Sequence, residues 1–205
     1  MHKTQKVYVP ELIFGQLLTS SNYDDMEKKT VGGKNGYGAK LANIFSNKFM
    51  IEICDSKQIY TQVWRSNMKQ RDEPKFKPAT KKAYTKIRFY PDFTRFSGMS
   101  GLDSDIVQLL SRRVIDIAGT TRGISTWLNN TQIKFDSFEK YCDLYLTPDT
   151  IRFHHKDKNG RWELCVAPSN DNTFQSVSFV NSINTSKGMY RILYVIVLCV
   201  YLTLH

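Results

Sequence analysis

Residues Gly32–Lys40 read Gly-Gly-Lys-Asn-Gly-Tyr-Gly-Ala-Lys. Glycines at 32, 33, 36 and 38 let a backbone wrap closely around a ligand with its N–H groups turned inward. Lys34 and Lys40 add full positive charge. The residues that follow, Leu41, Ile44 and Phe45, have the spacing of an amphipathic helix, whose N-terminus adds partial positive charge at the same place. This chemistry suits a polyphosphate and points to a nucleoside triphosphate. A glycine-rich surface turn is the plain alternative.

Spacing excludes the common phosphate loops. A P-loop places Gly-Lys-Ser/Thr four residues after its first glycine. Here Gly38 follows Gly33 at that interval, but Ala39 comes next, the lysine arrives one place late, and no Ser or Thr follows it. A dinucleotide fingerprint begins at Gly36-Tyr37-Gly38 but meets leucine at position 41, where it needs glycine. A protein-kinase loop would run into a valine strand, and the pattern here is helical.

Upstream lies Tyr8-Val9-Pro10-Glu11-Leu12-Ile13-Phe14-Gly15, then Ser20-Ser21-Asn22. Together with Gly33-Lys34-Asn35-Gly36-Tyr37-Gly38-Ala39-Lys40, residues 8–49 closely resemble the ATP-binding segment of eukaryotic type II DNA topoisomerases. The resemblance extends more loosely to Gly188, through Ser178-Phe179-Val180-Asn181-Ser182-Ile183 and Thr185-Ser186-Lys187-Gly188. Lys34 departs from it, standing where arginine is expected: the charge survives, but the bidentate fork is lost. The Tyr8–Gly15 segment argues against gyrase subunits, chaperones and histidine kinases of the same superfamily.

The resemblance implies an α+β chain with a partial GHKL (Bergerat) ATPase fold, a mixed sheet covered by helices. Residues 1–171 would belong to the ATPase domain, 172–188 to the start of a transducer domain, and 189–205 to neither. It implies ATP contacts from Ser20, Ser21, Asn22 and Gly33 to Lys40, with Mg2+ as the accompanying ion. It also implies DNA and a second copy of the chain as partners in the complete enzyme, no membrane, and a nuclear location. In the family the water-activating glutamate, the magnesium-binding asparagine and an adenine-binding Asp-x-Gly precede this segment. The γ-phosphate lysine and the cleavage tyrosine follow it. Neither Glu11 nor Glu27 has the setting of the catalytic glutamate, so no catalytic or metal-ligating residue is assigned here and the isolated chain is expected not to turn ATP over. The alternative is a truncated, non-catalytic remnant that binds nucleotide weakly or not at all.

The elements that would position the loop follow from periodicity. Leu12–Leu18 reads as a short helix and Ala39–Ser46 as a second, its start facing the phosphates. Lys48–Cys54 alternates as a half-buried strand, and Ile59–Trp64 and Thr85–Tyr90 read as two more, joined by a polar link containing Pro74 and Pro78. Leu102–Ala118 is the clearest helix, with Asp103 or Ser104 as cap, an apolar face of Ile106, Leu109, Leu110, Val114 and Ile117, and Gly119 as its stop. Ile124–Leu128, Asn129-Asn130 and Thr131–Phe135 form a hairpin pattern. Residues 137–146 suit a helix, strands flank Asn159-Gly160, and Gln175–Val180 reads as a last strand.

A net charge of +10 favours anionic partners. Within it, Lys69, Arg71, Lys75, Lys77, Lys81, Lys82, Lys86 and Arg88 face only Asp72 and Glu73. That run reads as a solvated hairpin face, with phosphate-backbone contact as the alternative. Cysteines 54, 142, 165 and 199 have no metal-site spacing and read as reduced core residues. His154 and His155 would point to opposite faces of a strand and so make no joint metal site. The tail from Met189 is apolar, but its uninterrupted run, Ile192–Leu202, falls short of the about 20 residues a membrane-spanning helix needs. It reads as a departure from the family pattern at Gly188, through a splice boundary or a frame change.

Overall fold

The computed structural model describes residues 1–20, 22–24, 26–27, 33–79, 82–169 and 173–185. Ser21, Lys81 and the tail lie outside them. The chain divides into two compact units, Met1–Leu102 and Asp103–His205.

The first unit runs α1 (Val9–Gly15), α2 (Gly38–Ile44), β1 (Ser46–Cys54), β2 (Gln58–Arg65), β3 (Gln70–Arg71), β4 (Lys75–Pro78) and β5 (Tyr84–Pro91). In the sheet β1 lies between β5 and β2, and β3 and β4 both pair with the far edge of β2. Among the described residues every pairing in this sheet is antiparallel, where the resemblance led us to expect a mixed sheet. Consecutive strands here are joined by short turns, which favour antiparallel neighbours. One such turn joins β1 to β2, where the Asp55 carboxylate accepts the Lys57 and Gln58 N–H groups.

Alternation along β1 sets the register. Phe49 and Ile51 pair with Trp64 and Gln62 of β2, and Ile53 pairs with Tyr60. Their shared face packs with Phe14 of α1 to form the core. A one-residue slip would turn that whole set to the opposite face. The core also carries a polar thread. Glu11 of α1 is buried, forms an ion pair with Arg71 of β3, and accepts a hydrogen bond from Gln62 Nε2 at 3.3 Å. The Tyr60 hydroxyl donates to Gln62 Oε1 at 2.5 Å.

Several boundaries differ from expectation. The first helix is Val9–Gly15, not Leu12–Leu18, because Pro10 suits a helix's first turn and starts it earlier. The second ends at Ile44, since Ser46 already belongs to β1. The link between β2 and β5 holds β3 and β4, which periodicity could not reveal because they are only two and four residues long and carry no buried side to mark a period.

Beyond β2, Ser66, Asn67 and Met68 are consecutive left-handed residues, with φ of 51°, 60° and 65°. Asn67 Nδ2 donates to the Ile44 carbonyl and to Asp92 Oδ2, so one side chain joins the end of α2 to the end of β5. Asp92 also accepts from Thr94, and these bonds hold its carboxyl below the usual 3.8. A depressed carboxyl supplies stability above its unfolded value, and that stability is lost as pH falls through the folded one. Asp92→Asn should therefore flatten the acid limb of the stability profile, below about pH 5. Urea melts of both proteins across that range check this; parallel profiles would refute it.

The second unit contains α3 (Ser104–Thr120), β6 (Thr126–Leu128), β7 (Thr131–Ile133), α4 (Phe138–Cys142), β8 (Phe153–Lys156), β9 (Glu163–Val166), β10 (Phe179–Val180) and β11 (Ile183–Asn184). Asp103 caps α3, its carboxylate accepting the Ile106 N–H at 2.8 Å. Asn129 and Asn130, at φ 48° and 67°, make the expected two-residue turn between β6 and β7. Asn181-Ser182 repeats it between β10 and β11, so the last strand is short and returns as a hairpin.

Tyr141 of α4 is the hub of this unit. Its ring meets those of Phe135, Phe138, Tyr145 and Phe179. Its hydroxyl donates to the buried Asp116 at 2.8 Å, which Arg113 also engages. Gly119 does not stop α3; the helix continues to Thr120 and brings Gly119 against Tyr141. The expected apolar face is only partly covered, and Leu109 and Leu110 stay more than half exposed. Cys142 is buried near Cys165, and desolvation pushes its thiol up to about 12. His154 bonds to Glu163, and His155 stacks on Phe153.

Candidate nucleotide site

The glycine-rich segment lies between α1 and α2. The C-terminal end of α1 is tied to α2 by Asn43, whose Nδ2 donates to the Phe14 carbonyl at 3.0 Å. Asn43 is fully buried, and its Oδ1 has no hydrogen-bond partner among the described residues. The chain leaving α1 is pinned by Thr19, whose hydroxyl is within bonding distance of the Leu12 and Gln16 carbonyls. Ser20 then accepts the Asn22 N–H, and Asn22 Nδ2 donates to the Gly33 carbonyl at 2.7 Å. Asn22 thus clasps the serine stretch to the start of the glycine loop, bringing together two segments that the sequence singled out separately.

Gly36 sits at φ +66°, a conformation natural to glycine. A Cβ built there would lie 3.2 Å from Lys40 Nζ and 3.5 Å from Ser20 Cβ. Among the described residues, Cβ atoms at Gly33 and Gly38 would meet nothing within 4 Å. The loop therefore has one crowded glycine, against which the lysine amine folds, and two that border open space. Asn35, Tyr37 and Gly38 are exposed, and Ala39 is half-buried.

Lys40 is the unusual member, with only 2% of its surface exposed. Burial draws its ammonium below the ordinary 10.5. Among the described residues no carboxylate pairs with it. A buried cation without an acidic partner is costly, and an anion relieves that cost. Sequence reasoning chose Lys40 for its charge but missed its burial. The helical pattern pointed instead to Leu41, which is 46% exposed, while Lys40 and Asn43 fill the buried side of α2. With seven residues α2 is too short for its dipole to carry the site, so the weight rests on Lys40 and the loop's N–H groups.

Among the described residues no three His, Cys, Asp or Glu side chains converge as metal ligands. Nor is any described helix long and apolar enough to cross a membrane.

No protein-family model matches the chain. Against curated proteins it is 48% identical over 202 residues to DNA topoisomerase 2-alpha of Homo sapiens, covering 95% of this chain and 13% of that protein. It is 49% identical over 193 residues to a probable DNA topoisomerase 2 of Dictyostelium discoideum, again covering 13% of the relative. Among solved structures, the ATPase region of Saccharomyces cerevisiae topoisomerase II bound to dexrazoxane superposes with a TM-score of 0.82 at 47% identity, over 90% of this chain and 50% of that one. The ATPase and transducer domains of topoisomerase II from Balamuthia mandrillaris give 0.80 at 42% identity, over 89% and 47%. The chain thus spans about an eighth of the full-length relatives it matches. By sequence over nearly its whole length, and by fold, the chain belongs to the eukaryotic type II DNA topoisomerases and corresponds to a segment of their ATPase region.

Proposed function

We propose that the chain is a nucleotide-binding segment of an ATP-dependent type II DNA topoisomerase, in which ATP binding and hydrolysis drive the passage of one duplex through another. The observation that carries this reading is the buried Lys40 amine folded against Gly36, with no acidic partner among the described residues. Lys40 and the backbone N–H groups of 35–40 would hold the triphosphate, with Lys34 at the rim. Ser20, Ser21 and Asn22 would meet the sugar or base. The partial GHKL fold would extend to residue 171, and residues 172–188 would open a transducer domain. DNA, a second copy and a nuclear setting belong to the whole enzyme. Magnesium would enter with the triphosphate; the described residues offer it no ligand set.

We infer further that this chain binds without turnover. Hydrolysis needs a side chain free to orient the attacking water. Glu11 is buried and engaged by Arg71 and Gln62, which commits it to the core.

Calorimetry with a non-hydrolysable ATP analogue tests binding, and phosphate release tests turnover. Gly38→Ala is the informative variant. Its new methyl group meets no atom of the described residues, so the melting temperature should hold while binding falls about tenfold or more as the methyl intrudes on the ligand. Gly36→Ala strains the backbone and crowds Lys40, so it should lower both. Undiminished binding by Gly38→Ala would remove the ligand from the cradle. Phosphate release that Glu11→Gln or Glu27→Gln abolishes would overturn the inference of no turnover.

A further inference from the structure

The face of the sheet opposite the core carries four residues of the basic run that the nucleotide site leaves unused: Lys75, Lys77, Lys86 and Arg88. Register places Lys75 beside Thr61, Glu52 and Lys86 in one row across β4, β2, β1 and β5. Neighbouring rows carry Lys77 and Ile59, then Val63, Met50 and Arg88, then Arg65, Lys48 and Tyr90. Side chains in register across antiparallel strands share a face, so these cations form one surface. Lys75 and Lys77 on one edge, and Lys86 and Arg88 on the other, are exposed.

Two acids near these cations are already engaged. Glu52 accepts the Tyr84 hydroxyl at 2.9 Å, and Asp72 pairs with Arg65 at 3.3 Å. Among the described residues Lys75, Lys77, Lys86 and Arg88 have no carboxylate within ion-pair distance. Three interstrand spacings separate β4 from β5, about 14 Å in all. The major groove of a DNA duplex is about 12 Å wide. Two rows of cations at that separation can reach phosphates on either side of one groove, while a sheet face puts no helix or loop inside it to read bases.

We propose that this face is a sequence-independent docking surface for the phosphate backbone of duplex DNA, with Lys75, Lys77, Lys86 and Arg88 as its principal contacts. The inference rests on strand register, exposure and charge complementarity, and is independent of the nucleotide cradle.

The test uses the full chain without nucleotide and a short fluorescent duplex, with anisotropy read across a salt series. The parent should bind at low salt, with log affinity falling linearly against log salt. The variant Lys75→Gln/Lys77→Gln/Lys86→Gln/Arg88→Gln should bind at least about tenfold more weakly, its slope shallower by about 0.9 for each lost phosphate contact. Lys134→Gln/Lys156→Gln/Lys158→Gln removes exposed cations from the other unit and should bind as the parent does. Equal weakening in both variants, no duplex binding by the parent, or binding to phosphatidylserine vesicles in place of DNA would overturn the proposal. Acetylation of the unaltered parent, mapped by mass spectrometry, needs no variant to fold. Duplex should protect Lys75, Lys77 and Lys86 but not Lys134, and the reverse pattern would also overturn it. Because nucleotide is absent throughout, failure here leaves the ATP reading intact.

Discussion

Lys40→Met should abolish nucleotide binding in the working range while leaving the unliganded chain at least as stable as before. Methionine matches the length of the lysine stem and fills the same buried space, but it brings no charge. In the unliganded chain Lys40 is nearly inaccessible and has no acidic partner among the described residues. Its removal relieves a desolvated ammonium, so stability should hold or rise by about 1 kcal/mol. In the complex the same ammonium would face the triphosphate. Losing one partner of a buried charge pair weakens binding by about 3 kcal/mol, a factor of roughly 100. Most residues that touch a ligand cannot be changed in this opposed way.

The pH dependence separates this account from simple damage. Burial lowers the Lys40 value below 10.5, so between the lowered value and 10.5 the unfolded chain binds more protons than the folded one. Stability therefore rises with pH through that interval, and Lys40→Met should lose the rise. A bound triphosphate favours the charged form and raises the value again, so binding at alkaline pH should take up a proton. Calorimetry in buffers of different ionisation enthalpy reads that uptake, which Lys40→Met should lack. Nucleotide affinity unchanged by Lys40→Met would sink the site assignment.

The sequence announced the cradle through composition, since glycines clustered with lysines are legible without coordinates. It hid what makes the cradle an anion site. The apolar spacing of Leu41, Ile44 and Phe45 suggested that these residues face inward, yet α2 buries Lys40 and Asn43. Polar burial breaks the periodicity on which such readings depend. The Asn22 clasp to Gly33 joins residues eleven apart and leaves no local pattern. Strands with one buried face were readable: Lys48–Cys54 lies wholly within β1, and the Asn129-Asn130 turn formed as expected. The short exposed strands β3 and β4, of two and four residues, were not. Glu11 shows the same limit. The sequence weighed it only against the setting of a catalytic glutamate, and only the fold brings Arg71 and Gln62 to it.

Gly119→Ala should destabilise the second unit by about 3 kcal/mol, against the sign that helix propensity gives. Replacing a mid-helix glycine with alanine ordinarily stabilises by roughly 0.5–1 kcal/mol. Here a Cβ would fall 2.2 Å from Tyr141 Cδ2 and 2.9 Å from Tyr141 Cβ, well inside contact distance. Tyr141 has nowhere to retreat. It is 2% exposed, its ring is packed among aromatics, and its hydroxyl is held by Asp116. Relief requires moving α3 from α4 or breaking the bond to Asp116, which would leave a buried carboxylate less well satisfied. A loss of that size lowers the melting temperature by roughly 6–12 °C in a chain of this length. Hydrogen exchange should place the loosening in α3 and α4 and leave the β1–β2 hairpin protected. A second background makes the cause explicit. In Tyr141→Ala the clashing ring is gone, so adding Gly119→Ala should restore the ordinary gain and reverse the sign of the effect. If Gly119→Ala destabilised both backgrounds equally, close approach to Tyr141 would not be what glycine serves at this position.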